Sequence, residues 1–265
     1  MGANWTKILA GVAIFASAGL AVLSDRAPVF FANASAESRP GSKQPRIFTE
    51  MELAKGFLDL AFGADLQTGS GGDRIVRFAN PMKVYVPESM PNDTARATYL
   101  NIFQEFQRIV PQLDTRLSES NGDANVRIHL IRQIDLRAML ETKLGTGTAR
   151  QFMSQTAPQC TTRVQSTTSG AILRADVFII RDKGKAALLD CAYHETLHAF
   201  GLLNHANDNP WTTLNQNRQV GHLTAYDRAL LAILYDARIQ PGMSKPQVEE
   251  VLPSIVRDVY RQLLN

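Results

Sequence analysis

The chain has only two cysteines, no internal repeat, no block of like charge and no uninterrupted apolar run of the roughly 20 residues a comfortable membrane span needs. Each lack narrows the possibilities. Scattered basic residues and a net charge of only +3 leave no electrostatic footprint for nucleic acid. Without repeats or low-complexity tracts the chain is not an array. Its one glycine cluster, LQTGSGGDR at residues 66–74, does not match a phosphate-binding loop and reads as a flexible connection. What remains is an ordinary globular composition, 45% hydrophobic and 20% charged over 265 residues. That is enough for one substantial core, or one domain with a modest second lobe.

The N-terminus is distinctive. Lys7 precedes Ile8 to Leu23, sixteen apolar residues without a charge, which read as the n-region and h-region of an export signal. Ala34-Ser35-Ala36 offers a small-x-small cleavage site, and Ala18 to Ala21 an earlier one. Uncleaved, the run would be a short membrane anchor. Residues 1–36 are therefore expected to be a signal peptide or anchor and 37–46, polar with two prolines, a linker. The folded domain is expected over 47–265, with sheet and site helix at 47–201 and a C-terminal lobe at 202–265. Export makes the protein periplasmic or extracellular. In that compartment Cys160 and Cys191 read as one disulfide, contributing about 3–4 kcal/mol in the chain-entropy picture.

Along the domain, Thr49-x-x-Glu52 is a capping-box signature for a helix over about 49–62. Met82 to Val86 alternates as a strand, and Asn92 or Asp93 caps a helix that Pro111 ends or kinks. Asn125 to Arg132 reads as a second strand; His129 within it is expected to be structural. Residues 134–155 read as one helix or two short ones. Thr161 to Ser169 is polar and β-branched, as an exposed edge strand would be. Ile172 to Ile180 ends in a continuous apolar run, as an interior strand would. Thr224 caps a further helix, Pro241-Gly242 breaks it, and a final amphipathic helix reaches Leu264, with Pro253 expected to kink it.

The chemistry concentrates in Cys191 to Asp208, CAYHETLHAFGLLNHAND. His194 and His198 are four apart and share a helix face, so both imidazoles can reach one tetrahedral Zn²⁺. Glu195 stands beside the first ligand, where a general base for water is needed. Gly201 suits a left-handed helix end, turning the chain so that a third ligand, His205, approaches from outside. On the expected amphipathic helix, Leu197 and Phe200 face inward.

HETLHAFGLLNH resembles the HExxHxxGxxH consensus of metzincin peptidases. LTAYDRALLAILYD resembles the Leu-x-x-Asp helix that closes their catalytic domain. Residues 47–262 are more closely similar to a group of uncharacterised bacterial exported proteins of unknown function. The metzincin resemblance implies an α+β, zincin-like fold: a mixed sheet, an active-site helix and a mainly helical C-terminal lobe. Two departures stand out. Asn204 occupies the consensus third-ligand position, with His205 one residue later; His205 is favoured as an imidazole, with Asp208 and His222 as alternatives. No methionine lies between His205 and Thr224; Leu214 could fill that place, and Met243 lies beyond the closing helix.

Other roles are weighed against blander ones. Glu249 and Glu250 lack the surroundings of a downstream ligand. Asp227 could serve as a downstream aspartate ligand but better suits stabilising a helix N-terminus. Tyr193 or Tyr226 could stabilise an oxyanion but better suit packing with a satisfied hydroxyl. A closed structural Cys₂His₂ site from Cys160, Cys191, His194 and His198 is the main competing zinc scheme. The leading expectation is an exported zinc metallopeptidase acting on a peptide or protein substrate. Its ligands are His194, His198 and His205, with Glu195 as general base. The second is a non-catalytic exported binding protein with a structural or vestigial zinc site.

Overall fold

The computed structural model describes residues 48–63, 72–88, 93–154 and 159–264. The export-like run, both small-x-small sites and residues 66–71 of the glycine cluster lie outside the described residues. Among those described, no helix is long and apolar enough to cross a membrane.

Five strands form one mixed sheet: β1 (Met82–Tyr85), β2 (Thr115–Leu117), β3 (Val126–Ile131), β4 (Cys160–Ser166) and β5 (Ile172–Ile180). Their order is β2-β1-β3-β5-β4, parallel except for the antiparallel β4–β5 pair. The polar strand thus lies at an edge and the apolar one inside, as their compositions predict. Among the described residues seven α-helices accompany the sheet: α1 (Glu50–Ala61), α2 (Thr94–Ile109), α3 (Leu136–Leu144), α4 (Thr146–Met153), α5 (Lys185–Phe200), α6 (Ala225–Leu234) and α7 (Lys245–Leu264). The fold is mixed α+β with a mainly helical C-terminal region. β2 is absent from the sequence reading, because three residues are too few to show alternation.

Local chemistry sets the helix starts. Thr49 and Glu52 form the expected reciprocal capping box on α1. Thr224 and Asp227 form another on α6, and the Asp93 carboxylate accepts from Ala95 and Arg96 N–H on α2. Side chains alternate across the sheet. Val84, Val126, Ile128, Val177, Ile179 and Val164 point inward to the main core with α1, α2, α5, α6 and α7. A smaller core on the outer face joins Ile131, Phe178 and Ile180 to α3 and α4.

His129 is structural, as expected. It stacks on Phe178 with centroids 4.6 Å apart, and its Nε2 lies 2.9 Å from the Asp176 carboxylate, which Arg174 also holds. Burial alone pushes the Asp176 carboxyl up, but the hydrogen bonds and charges of His129 and Arg174 outweigh it and bring it down to about 2. A depressed carboxyl contributes stability above its unfolded value of 3.8 and loses it as pH falls toward 2. The contribution is about 2 kcal/mol. Thermal melts of wild type and Asp176→Asn between neutral pH and pH 2 should therefore converge at the acid end. Parallel curves would refute the linkage.

Candidate metal centre

Helix α5 carries the motif and is held on every side. The Cys160–Cys191 disulfide ties it to β4 across 31 residues. The Thr162 hydroxyl of β4 donates to the Glu195 carbonyl at 3.0 Å. Thr196 donates back to the Ala192 carbonyl, so the 3.0 Å contact between its oxygen and Tyr99 is donated by the tyrosine. Tyr235 donates to the Phe200 carbonyl at 2.8 Å, satisfying the helix end. The expected amphipathic pattern is not what is found. Leu197 and Phe200 are buried, but so are Glu195, Thr196, His198 and Ala199. Sandwiched between the sheet and α2, the helix has little solvent face to mark with charge.

Gly201 ends α5 at φ +115°, with Gly201 N–H bonding the His198 carbonyl and Leu202 N–H the Leu197 carbonyl. These paired bonds are a Schellman turn. A Cβ at Gly201 would sit 2.0 Å from the Val76 carbonyl oxygen, so both the backbone angle and the space require glycine. Gly201→Ala is expected to cost about 2–3 kcal/mol from left-handed strain plus displacement of the 76–77 backbone. Thermal unfolding checks this; a loss within 0.5 kcal/mol, the range of ordinary surface changes, would contradict it.

Beyond the turn, Leu202 and Leu203 are fully buried. Asn204 faces α1: its amide donates to the Asp59 carbonyl at 2.9 Å, and its backbone N–H bonds the Leu60 carbonyl. The consensus position is thereby spent on packing, and His205 reaches the site instead. The Nε2 atoms of His194, His198 and His205 lie 3.0–3.1 Å from one another. Asp208 is exposed, and His222 is exposed with Nδ1 against the Val220 carbonyl; neither joins the cluster.

The hydrogen bonds behind these rings identify what the cluster suits. His194 Nδ1 meets the Thr213 carbonyl at 2.9 Å, and His198 Nδ1 meets the Leu202 carbonyl. A carbonyl only accepts, so both Nδ1 atoms carry hydrogen and both Nε2 atoms present lone pairs. Two lone pairs 3.1 Å apart repel. Burial, then the neighbouring His205 and His194, push His198 well below its ordinary value and keep it neutral. An ion at the usual 2.0–2.1 Å from three imidazoles needs nitrogens about 3.3 Å apart. The donor set therefore fits a single metal ion.

A second layer escaped the sequence reading. Thr213 is held by the buried Asp227 carboxylate, which accepts from its hydroxyl at 2.6 Å and from its N–H at 3.2 Å. Asp227 also accepts from the hydroxyl of Thr212 at 2.6 Å and from that of Thr224 at 2.8 Å. The sequence shows Asp227 as a carboxylate at a helix N-terminus, but its hold on Thr212 and Thr213 crosses 14–15 residues and has no local signal. Leu214 itself is fully buried.

The remaining candidates fall away from the cluster. The Tyr193 hydroxyl donates to Glu105 and that of Tyr226 to the Glu52 carbonyl. Glu249 and Glu250 are exposed on α7, and Met243 lies in the turn before it. The disulfide removes both thiols from any Cys₂His₂ site. Glu195 is 4% exposed. A cleft of about 470 Å³ opens beside His205, lined by Lys55, Asp59, Asn204, Asp208 and Trp211.

Residues 50–254, most of the chain, match the family described as Protein of unknown function (DUF2927). No curated protein and no solved structure matches the chain.

Proposed function

We propose that this chain, which belongs to the DUF2927 family of unknown function, is an exported zinc protein that hydrolyses peptide bonds in the manner its metzincin resemblance implies. The reading rests on one observation: three imidazole nitrogens converge within 3.1 Å, two of them fixed as lone-pair donors by carbonyls behind them. His194, His198 and His205 hold the ion. Three neutral imidazoles suit zinc, though copper, nickel and iron accept them too. Zinc, when bound, supplies Lewis acidity, polarising a carbonyl and making water nucleophilic near neutral pH. Glu195, adjacent to His194, takes the proton of the attacking water and returns it to the departing amine. β4, as a sheet edge, offers backbone groups to an extended peptide. The disulfide supports export to an oxidising compartment.

A second reading is favoured by the burial of Glu195: a non-catalytic exported binding protein whose zinc is structural or vestigial. The same histidines serve it equally well. One experiment separates the two. Elemental analysis of purified full-length chain should give one zinc per molecule in wild type and in Glu195→Gln. Hydrolysis of an unfolded protein substrate should fall by about 10²–10⁴ in the variant. Zinc in both with no turnover in wild type supports the second reading, and absence of stoichiometric metal sinks both.

A further inference from the structure

Strand register gathers on one surface what the linear chain scatters. Arg116 of β2 sits opposite Lys83 of β1. Tyr85, two residues on and so on the same face, sits opposite Arg127 of β3. Arg127 is opposite Asp176 of β5, and Asp176 opposite Arg163 of β4. Residues in register project from the same side of a sheet, and Arg174 joins them two residues before Asp176. Every strand of the sheet therefore places one cation on its outer face. The neighbouring carboxylates are already engaged: Asp176 by His129 and Arg174, and Asp114 by Arg116. Among the described residues, Lys83, Arg127 and Arg163 form no ion pair.

Asp114 and Asp176 account for Arg116 and Arg174, whereas Lys83, Arg127 and Arg163 carry charge that no carboxylate among the described residues meets, the Arg127 guanidinium donating only to the Asn121 carbonyl. Lys83 lies opposite Arg116, whose charge Asp114 already meets, so Lys83 is the member of that pair left to meet an external anion. Helices α3 and α4 cover only the end of this face, at Ile131, Phe178 and Ile180. The cations are spread over about 19 Å of sheet width, not gathered in a groove, so they match a planar array of charge better than a small anion. Tyr85 alone among the strand residues near these cations offers the aromatic surface on which single-stranded nucleic acid would stack. Ile134, 82% exposed in the turn between β3 and α3, adds an apolar tip suited to a headgroup boundary. Helix α5 and its histidines pack on the opposite side of the sheet.

We propose that the outer face of the sheet is a docking surface for a bilayer containing acidic phospholipids. The metal-side cleft stays open to solvent while the chain is docked.

Full-length chain is partitioned onto vesicles of phosphatidylcholine alone and onto vesicles with phosphatidylglycerol added. Acidic lipid should strengthen wild-type binding, and high salt should remove the gain. The triple variant Lys83→Gln, Arg127→Gln, Arg163→Gln should lose about 100-fold of the acidic-lipid increment, at about fivefold per cation. Lys245→Gln, at the start of α7, should lose none. If the triple variant misfolds, judged by melting and zinc content, the exposed Lys83→Gln alone should still lose about fivefold. Equal wild-type binding to both vesicles, or a folded triple variant that binds like wild type, overturns the proposal. Binding to duplex DNA in preference to acidic vesicles overturns it as well.

Discussion

Replacing His198 with alanine should abolish stoichiometric zinc and, with it, any hydrolysis. The side chain is 2% exposed and its Nε2 lies 3.1 Å from those of both His194 and His205. Without it two imidazoles remain, and two do not hold a divalent ion against water. Closed four-ligand zinc sites bind with about 10–16 kcal/mol, so one ligand accounts for roughly 2.5–4 kcal/mol, or about 10²–10³ in affinity. A stability cost comes with it, because the Leu202 carbonyl loses its donor at the Schellman turn. An unsatisfied buried carbonyl costs about 1–3 kcal/mol. Chelator competition on wild type, His198→Ala and His222→Ala distinguishes site loss from general damage. His222 is exposed and outside the cluster, so its variant should bind zinc as wild type does. Wild-type affinity in His198→Ala would remove the basis for the site.

The parts of this site visible in the linear chain are those that side-chain spacing encodes. His194 and His198 at i and i+4, and the helix-ending glycine, are local signals, and they locate α5 and its terminus. The capping box at Thr49 and the cap at Thr224 are local in the same way. Asn204 shows where locality fails. A consensus count points to it as third ligand, yet its amide is engaged with the Asp59 carbonyl of α1, 145 residues away. No spacing rule contains that contact. Thr213 fails differently, since it acts on His194 through a backbone carbonyl that any residue would possess. The cationic outer face was hidden for a third reason. Its charges are separated along the chain and become neighbours only through register, so a scan for runs of like charge passes over them.

Asp227→Ala should be costly for both stability and metal binding. Asp227 belongs to a capping box, and a cap alone is worth about 1 kcal/mol. Its carboxylate does more than cap. It is fully buried and gathers the hydroxyls of Thr212, Thr213 and Thr224 together with the N–H groups of Thr213 and Thr224. Burial pushes the carboxyl up, while these donors pull against that shift. Deleting the acceptor strands several buried donors at about 1–3 kcal/mol each before relaxation, so a loss of roughly 3–5 kcal/mol is expected. The effect passes to the metal because Thr213 is the residue whose carbonyl orients His194. Partners behind a ligand are typically worth 10–100-fold in metal affinity. Asp227→Asn, which keeps one acceptor oxygen, should fall between alanine and wild type on both measures. Urea unfolding and chelator competition on the same three proteins decide the matter. Should stability fall while zinc affinity holds, Asp227 is a helix cap and nothing more. A graded loss of both, in the order wild type, asparagine, alanine, would make the Thr212–Thr213 segment the floor on which the first histidine is set.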